Sequence, residues 1–460
     1  MKAAMLNKTP LEAWIANRLG LSGTALTRQQ IERYQLQKLQ ETICLAVGRS
    51  PFYRELLKDF TATELLSLAD LEQLPFTTAE DIRQHGLQFL CVSQNEISRV
   101  VTLDSSGTTG RTKRLFFTAA EQELTIDFFR QGMATLVEAG DRVLILLPVE
   151  RSGCVGDLLA IALRRLGVRP VPHGIVTDIR ATLRTMERER IHSLVGIPAQ
   201  VLALARHAAV TGRRPLRLKS VLLSTDHVPD AIVRELRRSW NCQVFEHYGM
   251  TEMGLGGGVD CGLHTGYHLR EADLYFEIID PVTGKVLPDG QEGEVVFTTL
   301  TRQGMPLIRY RTGDISRFLP GLCGCGSVLR RLERIRTRRN GQVVLSSGRY
   351  FTLADLDEAI FAVAGVVYFT AAVDNIRRTT QLMVNASIAG HSGPATEREI
   401  HRALDSIPAI YQARQDGTLR ISIISRYGAI VSPKPAKRTI MELSEFGGKP
   451  ADISGQAWED

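Results

Sequence analysis

The chain has 460 residues, of which 44% are hydrophobic, 23% charged and 6% aromatic. This composition is ordinary for a globular protein with large apolar cores, and it excludes a mostly disordered, collagen-like or disulfide-knotted chain. At roughly 100–200 residues per domain, the length predicts two to four domains. The formal net charge of +6 is too small for this length to indicate a nucleic-acid partner by itself.

Targeting and membrane signals are not evident. The first 20 residues lack an apolar signal core followed by a small-residue cleavage site. No apolar run reaches the roughly 18 residues that a membrane-spanning helix needs. Seven cysteines in a chain of this length do not predict a disulfide framework. We therefore expect a cytoplasmic protein without a membrane partner.

The first half of the chain changes from helices to alternating strands and helices. Apolar residues recur at helical spacing over 29–47, and a threonine followed by an acid in 77–81 predicts a helix start, because both side chains satisfy free backbone N–H groups. After about residue 100, apolar strands are predicted at 141–148, 193–198 and 219–224, with a helix at 158–166. Strands that alternate with helices predict α/β layers with parallel strands.

The second half predicts two further units. Alternating strands at 274–280 and 294–300, joined by a Pro/Gly-rich turn, indicate hairpin or barrel-like β structure. A small α+β unit follows, with helices at 353–364 and 397–407 and strands at 366–373, 381–388 and 419–424. The predicted fold class is α/β, with a large N-terminal domain of α/β layers and a β-barrel-like subdomain over 1–336, and a small α+β C-terminal domain over 337–460.

A glycine- and hydroxyl-rich loop carries the main functional signal. Glycines let the backbone approach a ligand closely, and hydroxyl and backbone N–H groups can donate to phosphate oxygens. The loop is not a standard P-loop, because Gly-x4-Gly-Lys-Ser/Thr is missing, and a polar hairpin loop is the structural alternative. The candidate phosphate-binding residues are Ser105, Ser106, Gly107, Thr108, Thr109, Gly110 and Lys113.

Two later motifs offer carboxylates suited to a nucleotide. The sequence His-Tyr-Gly-Met-Thr-Glu at 247–252 ends in Thr251 and Glu252, a hydroxyl and a carboxylate that suit Mg²⁺ beside phosphates. The sequence Arg-Tyr-Arg-Thr-Gly-Asp at 309–314 presents Asp314 at a tight turn, where a carboxylate suits a pair of sugar hydroxyls. Each motif alone is also compatible with an ordinary turn.

Together, in this order and at this spacing, the three segments resemble the adenylate-forming superfamily of acyl-CoA synthetases, and most of all phenylacetate–CoA ligase and its relatives. The sequences Ser-Pro-Phe-Tyr-Arg at 50–54, Leu-Pro-Phe-Thr-Thr at 74–78 and the lead-in at 305–308 are similar to signatures of that family. The resemblance covers about residues 30–440. It implies the adenylate-forming enzyme fold, with a C-terminal domain that rotates between half-reactions.

The resemblance also implies a reaction and a set of roles. ATP would activate a carboxylic acid as an acyl-adenylate with release of pyrophosphate, and coenzyme A would then form the thioester. The loop at 105–113 would hold the β- and γ-phosphates. By matched position, the other nucleotide residues would be Ser224, Thr225 and Asp226 beside adenine, Tyr248 and Gly249 on the adenine side, Thr251 and Glu252 at Mg²⁺, and Asp314 and Arg338 at the ribose.

Two C-terminal segments depart from the family pattern. The hinge, usually Gly-Arg-x-Asp, reads Thr-Arg-Arg-Asn at 337–340, so that Asn340 replaces a charged side chain. The late Gly-Lys-x-x-Arg loop reads Lys-Pro-Ala-Lys-Arg at 434–438, and its lysine position falls on Pro435 when aligned on Arg438. We predict that Lys437 takes the place of the adenylation lysine, with Lys434 as the alternative, because a lysine is a flexible point charge.

Three cysteines and one histidine predict a zinc site. Cys261 and His264 have C-x2-H spacing, and Cys323 and Cys325 lie one residue apart between glycines. Such a set can hold one tetrahedral Zn²⁺, and a closed site of this kind is structural because it leaves no position for water. His268 is the rival fourth ligand. The plainer interpretation is that these are packed cysteines in turns.

The sequence does not specify the acid, and it leaves a homodimer open. Residues 151–157 differ from the aromatic-rich version found in phenylacetate ligases, which argues against phenylacetate as the substrate. One alternative is an adenylating enzyme with a non-CoA acceptor or an adenylated cofactor as product. Another is a basic zinc protein that binds nucleic acid through the seven arginines between 330 and 349. Against this second alternative, no aromatic residues are interleaved with the arginines, so no nucleic-acid partner is expected.

Overall fold

The structure is a computed structural model that describes residues 8–21, 25–60, 65–103, 112–212, 217–339, 341–376, 379–390, 393–428 and 438–442. The helices of this part of the chain are α1 (Pro10–Arg18), α2 (Arg28–Arg49), α3 (Pro51–Leu56), α4 (Ala79–His85), α5 (Ala119–Met133), α6 (Val155–Arg165), α7 (Ile179–Arg188), α8 (Pro198–Val210), α9 (Asp230–Trp240), α10 (Leu353–Phe361), α11 (Pro394–Leu404) and α12 (Pro408–Gln415).

The strands are β1 (Ile97–Leu103), β2 (Lys113–Thr118), β3 (Arg142–Leu146), β4 (Arg169–Pro172), β5 (Ser193–Gly196), β6 (Ser220–Leu223), β7 (Gln243–Tyr248), β8 (Gly258–Val259), β9 (Tyr267–Leu269), β10 (Leu274–Ile279), β11 (Gly293–Thr299), β12 (Tyr310–Ser316), β13 (Arg331–Leu332), β14 (Thr337–Arg338), β15 (Gln342–Val344), β16 (Tyr350–Thr352), β17 (Val366–Ile376), β18 (Thr379–Ile388), β19 (Leu419–Tyr427) and β20 (Met441–Glu442).

An eight-stranded sheet forms the centre of the large region, in the order β13-β9-β8-β7-β6-β5-β3-β4. Its pairs from β4 to β7 are parallel, and its strands β5 and β6 are wholly buried, as expected for strands covered by helices on both faces. The predicted parallel sheet is confirmed. Because parallel strands end at one edge, the segments after β6 and after β7 come to the same side, where α/β proteins bind ligands.

A second, antiparallel sheet has the order β10-β11-β12-β14. Its strand β14 pairs with β12 in a register that places Arg338 opposite Asp314. Residues 337–338 therefore belong to the sheet of the large region, although the sequence boundary had been predicted between 336 and 337. The division of the chain into two domains stays a prediction.

The described residues between 341 and 442, called here the C-terminal region, form the sheet β19-β18-β17-β20, the hairpin β15–β16 and the helices α10 to α12. This region packs against α8 and α9. One apolar cluster contains Leu202 and Leu236 from those helices together with Ile360 and Phe369 from the C-terminal region. The guanidinium group of Arg206, on α8, donates to the backbone oxygens of 361 and 363 at 2.7 and 3.0 Å.

Several predicted elements are confirmed with small shifts of their ends. The helix expected at 29–47 is α2, and the predicted helix start is a capping box in which Thr78 accepts from the backbone N–H of Asp81. The sequence did not indicate the antiparallel pair β1–β2, which flanks residues 104–111, or the helix α12. Among the described residues, no helix has the length and apolar character needed to cross a membrane.

Candidate active site and candidate metal centre

Glu252 is the centre of one half of the candidate active site. It lies in the single turn Thr251–Met253 just after β7, and it is 3% exposed. Its Oε1 accepts hydrogen bonds from Nζ of Lys113, at the start of β2, and from the hydroxyl of Tyr310 at 3.2 Å. Burial disfavours the carboxylate, but the charge of Lys113 and its hydrogen bond outweigh burial, so the pKa of Glu252 lies below its usual value. Glu252 is therefore held as an anion at the edge of the central sheet.

Asp314 is the centre of the other half. Its carboxylate is buried and accepts a hydrogen bond of 3.1 Å from the hydroxyl of Tyr248. It also forms an ion pair with Arg338, whose Nε lies 2.7 Å from the carboxylate. The ring of Tyr248 stacks on that of Tyr267, with centroids 5.9 Å apart. Both Tyr310 and Asp314 lie on β12, so this one strand joins the two carboxylate centres. Tyr248, Asp314 and Arg338 come from three separate segments of the sequence, and only the structure shows that they meet.

The segment after β6 carries backbone strain. Thr225 has φ +77°, a conformation that a β-branched residue rarely adopts, and its neighbour Ser224 contacts Nδ1 of His247 at 3.2 Å. Gly249, after β7, leaves no room for a side chain, because a Cβ there would lie 2.6 Å from the backbone oxygen of Leu255. The segments after β6 and after β7 therefore have constrained backbones beside the carboxylates of Glu252 and Asp314.

The two N-terminal segments that resemble family signatures, residues 50–54 and 74–78, contact the segment that leads into β12. The hydroxyl of Tyr53 donates to the backbone oxygen of Pro306 at 3.2 Å and accepts from the N–H of Ile308 at 2.9 Å. Thr77 forms a parallel bridge with Tyr310, and its hydroxyl donates to the oxygen of Ile308 at 2.8 Å. Both signatures therefore hold the segment that leads into β12, which explains why they accompany the nucleotide motifs in the sequence.

Two groups of predicted residues lie outside the described part of the chain. They are the phosphate-loop residues Ser105, Ser106, Gly107, Thr108, Thr109 and Gly110, and the late-loop residues Lys434, Pro435 and Lys437. Lys113, which closes the phosphate loop, and Arg338, next to the hinge, are described. Asn340 is outside the described residues as well.

Two titratable groups, Glu246 and His247, lie side by side near the end of β7, and the sequence did not indicate the burial of Glu246. Glu246, on β7, is 1% exposed, and burial raises its pKa to about 8 in spite of an ion pair with Arg334 at 2.9 Å. Burial also lowers the pKa of the adjacent His247 to about 4. Glu246 follows two apolar residues in the sequence, and only the sheet order, in which β7 lies between β6 and β8, explains its burial.

The predicted metal residues come together with one correction. Cys261, Cys323, Cys325 and His268 are buried, and their ligand atoms all lie within 4.8 Å of one another. His264, predicted as the fourth ligand, instead contacts Asp260 at 2.9 Å through its Nδ1. The C-x2-H spacing misled the prediction, because His264 has φ +54° in a turn, whereas His268 on β9 faces the cysteines.

Two distances in this cluster match those of a tetrahedral zinc site. Zn–S bonds of about 2.3 Å and Zn–N bonds of about 2.0–2.1 Å at tetrahedral angles require an S–S separation of about 3.8 Å and an S–N separation of about 3.5 Å. The sulfurs of Cys261 and Cys323 are 3.8 Å apart, and the sulfur of Cys325 is 3.5 Å from Nε2 of His268. The donor set and its spacing therefore fit Zn²⁺.

Comparison with known proteins indicates the same enzyme family as the motifs and their placement in the structure. The family described as AMP-binding enzyme matches residues 49–301, which is more than half of the 460 residues. The chain belongs to this family. It is 30% identical to the phenylacetate–coenzyme A ligase of Pseudomonas putida over 336 residues, which cover 70% of this chain and 73% of the relative. It is 29% identical to the ligase of the same name from Thermus thermophilus, with coverage of 70% and 73%.

A solved structure of another protein has the same fold. It is the crystal structure of 2-hydroxyisobutyryl-CoA ligase in the postadenylation state, in complex with R3-HIB-AMP. The TM-score is 0.77 at 20% identity, and the match covers 92% of this chain and 91% of that structure. The fold predicted from the motifs, that of the adenylate-forming enzymes, is confirmed by a match that covers 92% of the chain.

Proposed function

We propose that the protein is an AMP-forming acid–CoA ligase, which activates a carboxylic acid with ATP and transfers the acyl group to coenzyme A. The observation that carries the proposal is the placement of Glu252 and Asp314, two buried carboxylates linked through β12 at the ligand-binding edge of the central sheet. Membership of the AMP-binding family and the similarity to phenylacetate–coenzyme A ligases support it.

The described residues would bind and orient the nucleotide. Asp314 would accept hydrogen bonds from the ribose hydroxyls, and Arg338 would fix this carboxylate while contacting the sugar. The ring of Tyr248 would border adenine. Glu252 would bind Mg²⁺, which neutralises phosphate charge when bound, and Lys113 would then be free to turn to the phosphates. Attack of the substrate carboxylate on the α-phosphorus needs little beyond such positioning and charge stabilisation.

The adenylation lysine stays a prediction. We propose Lys437 for this role, with Lys434 as the alternative. The variant Lys437→Ala is expected to reduce pyrophosphate release by orders of magnitude while thioester formation from preformed adenylate survives. The first step develops charge at the α-phosphorus and on the leaving pyrophosphate, whereas in the second the thiol attacks the acyl carbon and releases AMP. Unchanged adenylation in Lys437→Ala, together with a loss in Lys434→Ala, would transfer the role to Lys434.

A pyrophosphate-release assay over a panel of acids tests the function. The panel contains phenylacetate, 2-hydroxyisobutyrate and anthranilate together with short, branched and aromatic acids, each with and without coenzyme A. Acid-dependent pyrophosphate release and CoA-dependent thioester formation are expected. Acid-dependent pyrophosphate release with no thioester would favour a non-CoA acceptor instead. No pyrophosphate release with any acid would refute the ligase assignment.

We also propose that Cys261, His268, Cys323 and Cys325 hold a structural Zn²⁺. With four protein ligands the site has no open position, so the metal would supply folding free energy and no chemistry. It would connect the turn after β8, the strand β9 and the segment before β13. The support is the match of donor type and spacing to tetrahedral zinc.

Metal content per chain tests this second proposal. The purified protein is expected to contain about one zinc per chain, since a closed Cys3His set binds zinc tightly. The variant His268→Asn should lose most of the zinc, and the matched variant His264→Asn should keep it, because the Nδ1 of His264 contacts Asp260. Zinc near zero in the wild type, or loss only in His264→Asn, would refute the assignment.

Location and assembly stay predictions from the sequence. We propose a cytoplasmic protein and leave the homodimer as a prediction that light scattering on the purified chain decides. Neither affects the assignment of the catalytic residues, which all lie in one chain.

A further inference from the structure

Arg438 lies at a point where two regions of the molecule meet. Its two terminal nitrogens donate hydrogen bonds of 2.8 Å to the carboxylate of Asp357, and its Nε donates one of 3.0 Å to Oδ2 of Asp226. Asp357 lies on α10 of the C-terminal region, whereas Asp226 lies in the strained segment after β6 that would border adenine. One side chain therefore joins the C-terminal region to the nucleotide side of the large region.

The two halves of this contact differ in strength. The bond to Asp357 is bidentate, its carboxylate is fully buried, and the guanidinium group lies 5.2 and 5.4 Å from the rings of Phe361 and Phe369. Bidentate charged pairs of this kind are strong and geometrically specific. The single bond to Asp226 uses the remaining nitrogen, and the side chain of Asp226 is 14% exposed. Arg438 is thus fixed within the C-terminal region and reaches across with one bond.

We propose that Arg438 is a positioning residue, whose bond to Asp226 holds the C-terminal region against the adenine-bordering segment for the ATP-dependent half-reaction. The inference rests on the proposed function. Arg438 directly follows Lys437 in the sequence, so a fixed Arg438 limits where the predicted adenylation lysine can reach. Lysine could not replace Arg438, because its single nitrogen cannot serve both carboxylates with the planar fork that the geometry requires.

A neighbouring contact supports the same arrangement. Glu358, next to Asp357 on α10, accepts hydrogen bonds from the backbone N–H groups of Asp230 and Ala231, at 2.5 and 3.1 Å. These are free N–H groups in the first turn of α9, which begins just after the adenine-bordering segment. Asp357 and Glu358 are successive residues of α10 and therefore contact opposite ends of residues 226–230. Asp357 does so through Arg438, and Glu358 does so directly.

The first experiment needs no substrate. Hydrogen–deuterium exchange is measured on the full-length wild type and on the variants Asp226→Asn, Arg438→Lys and Asp405→Asn. Asp405→Asn is the matched control, since it removes the same charge from a surface ion pair with Arg414 inside the C-terminal region. Faster exchange at 224–228 and 438–442 is expected in Asp226→Asn and Arg438→Lys, and in neither segment for the control. Unchanged exchange in both would overturn the proposal.

The second experiment separates the half-reactions. Pyrophosphate release is compared with thioester formation from preformed acyl-adenylate, using the panel acid that the wild type activates fastest. We expect Arg438→Lys and Asp226→Asn to slow the first step at least tenfold and the second less than threefold. Equal slowing of both steps would indicate a merely structural role and overturn the proposal. If no acid is activated, the proposed function fails. Hydrogen–deuterium exchange at 224–228 and 438–442, measured in the presence of ATP and Mg²⁺, still tests whether Arg438 joins the two regions.

The double variant Asp226→Asn/Arg438→Lys distinguishes the bridge from a direct role of Asp226 at adenine. If the two residues act through their bond, the double variant should be no slower than Arg438→Lys alone, because the bond is already lost there. Multiplying effects would show that Asp226 acts independently, and would overturn the positioning role of Arg438.

Discussion

Arg309 offers the sharpest test of how the site is supported. It is 1% exposed and directly precedes Tyr310, whose hydroxyl contacts Glu252. Its guanidinium group donates to both carboxylate oxygens of Glu277, at 2.9 and 3.2 Å, and to the backbone oxygens of Glu72 and Leu74, at 2.7 and 2.6 Å. The variant Arg309→Met keeps the length of the side chain but leaves the buried Glu277 without its cation.

The magnitude follows from burial. Breaking a buried ion pair by removing one partner destabilises a protein by about 3–5 kcal/mol, because the remaining charge stays desolvated. Glu277 is 3% exposed, which places it in this class, while Glu72 is exposed and water can replace the bond to its carbonyl. We therefore expect Arg309→Met to lose about 4 kcal/mol of unfolding free energy at pH 8, a large part of the usual total of about 5–15 kcal/mol.

The loss should depend on pH in a defined direction. Burial raises the pKa of Glu277 above its usual value even with Arg309 present, and Arg309 opposes that rise. In the variant the pKa rises further, so the folded state binds the proton more readily than the unfolded chain. Stability then increases as the pH falls through this raised pKa, by about 1.4 kcal/mol per pH unit. The deficit of Arg309→Met is expected to be smaller at pH 5.5 than at pH 8.

Urea unfolding followed by circular dichroism, at both pH values, measures these deficits. The double variant Arg309→Met/Glu277→Met is the control, because apolar replacement of both partners of a buried pair is often nearly neutral. It should be more stable than Arg309→Met at pH 8 and should lack the pH dependence of the deficit. A deficit under about 1 kcal/mol, an equal deficit at both pH values, or a double variant less stable than the single one would refute the reasoning.

Three further outcomes are expected. Asp314→Asn should raise the KM for ATP about tenfold with a smaller change in kcat, because the charge that binds ribose and pairs with Arg338 is lost; an unchanged KM would remove Asp314 from the site. Glu252→Gln should slow pyrophosphate release at least about 100-fold and raise the Mg²⁺ concentration needed for half-maximal rate. An unchanged Mg²⁺ requirement in this variant would argue against the metal role of Glu252. Prolonged chelation should remove zinc and lower the thermal midpoint by several degrees, whereas an unchanged midpoint after zinc loss would exclude a structural role.

The sequence by itself determined the order of chemistry along the chain. Local signals were sufficient to predict the parallel strands and the Thr78 capping box and to propose the three nucleotide motifs, because each depends on residues within a few positions of one another. Motif order then identified the fold, which no single loop could do. The three cysteines of the candidate metal site were also evident, since cysteine spacing in a chain without a disulfide framework has few explanations.

Only the tertiary structure decided which distant residues meet. His268 rather than His264 lies beside the three cysteines because the strand β9 turns it toward them, a direction that spacing does not determine. The Asp226–Arg438–Asp357 contact joins residues up to 212 positions apart, and no local pattern contains such a pairing. Glu246 lies buried in the sheet, although no local pattern in the sequence predicts its burial. Side-chain spacing specifies local elements, but burial and partner choice depend on how sheets and regions pack, and packing is set by the whole chain at once.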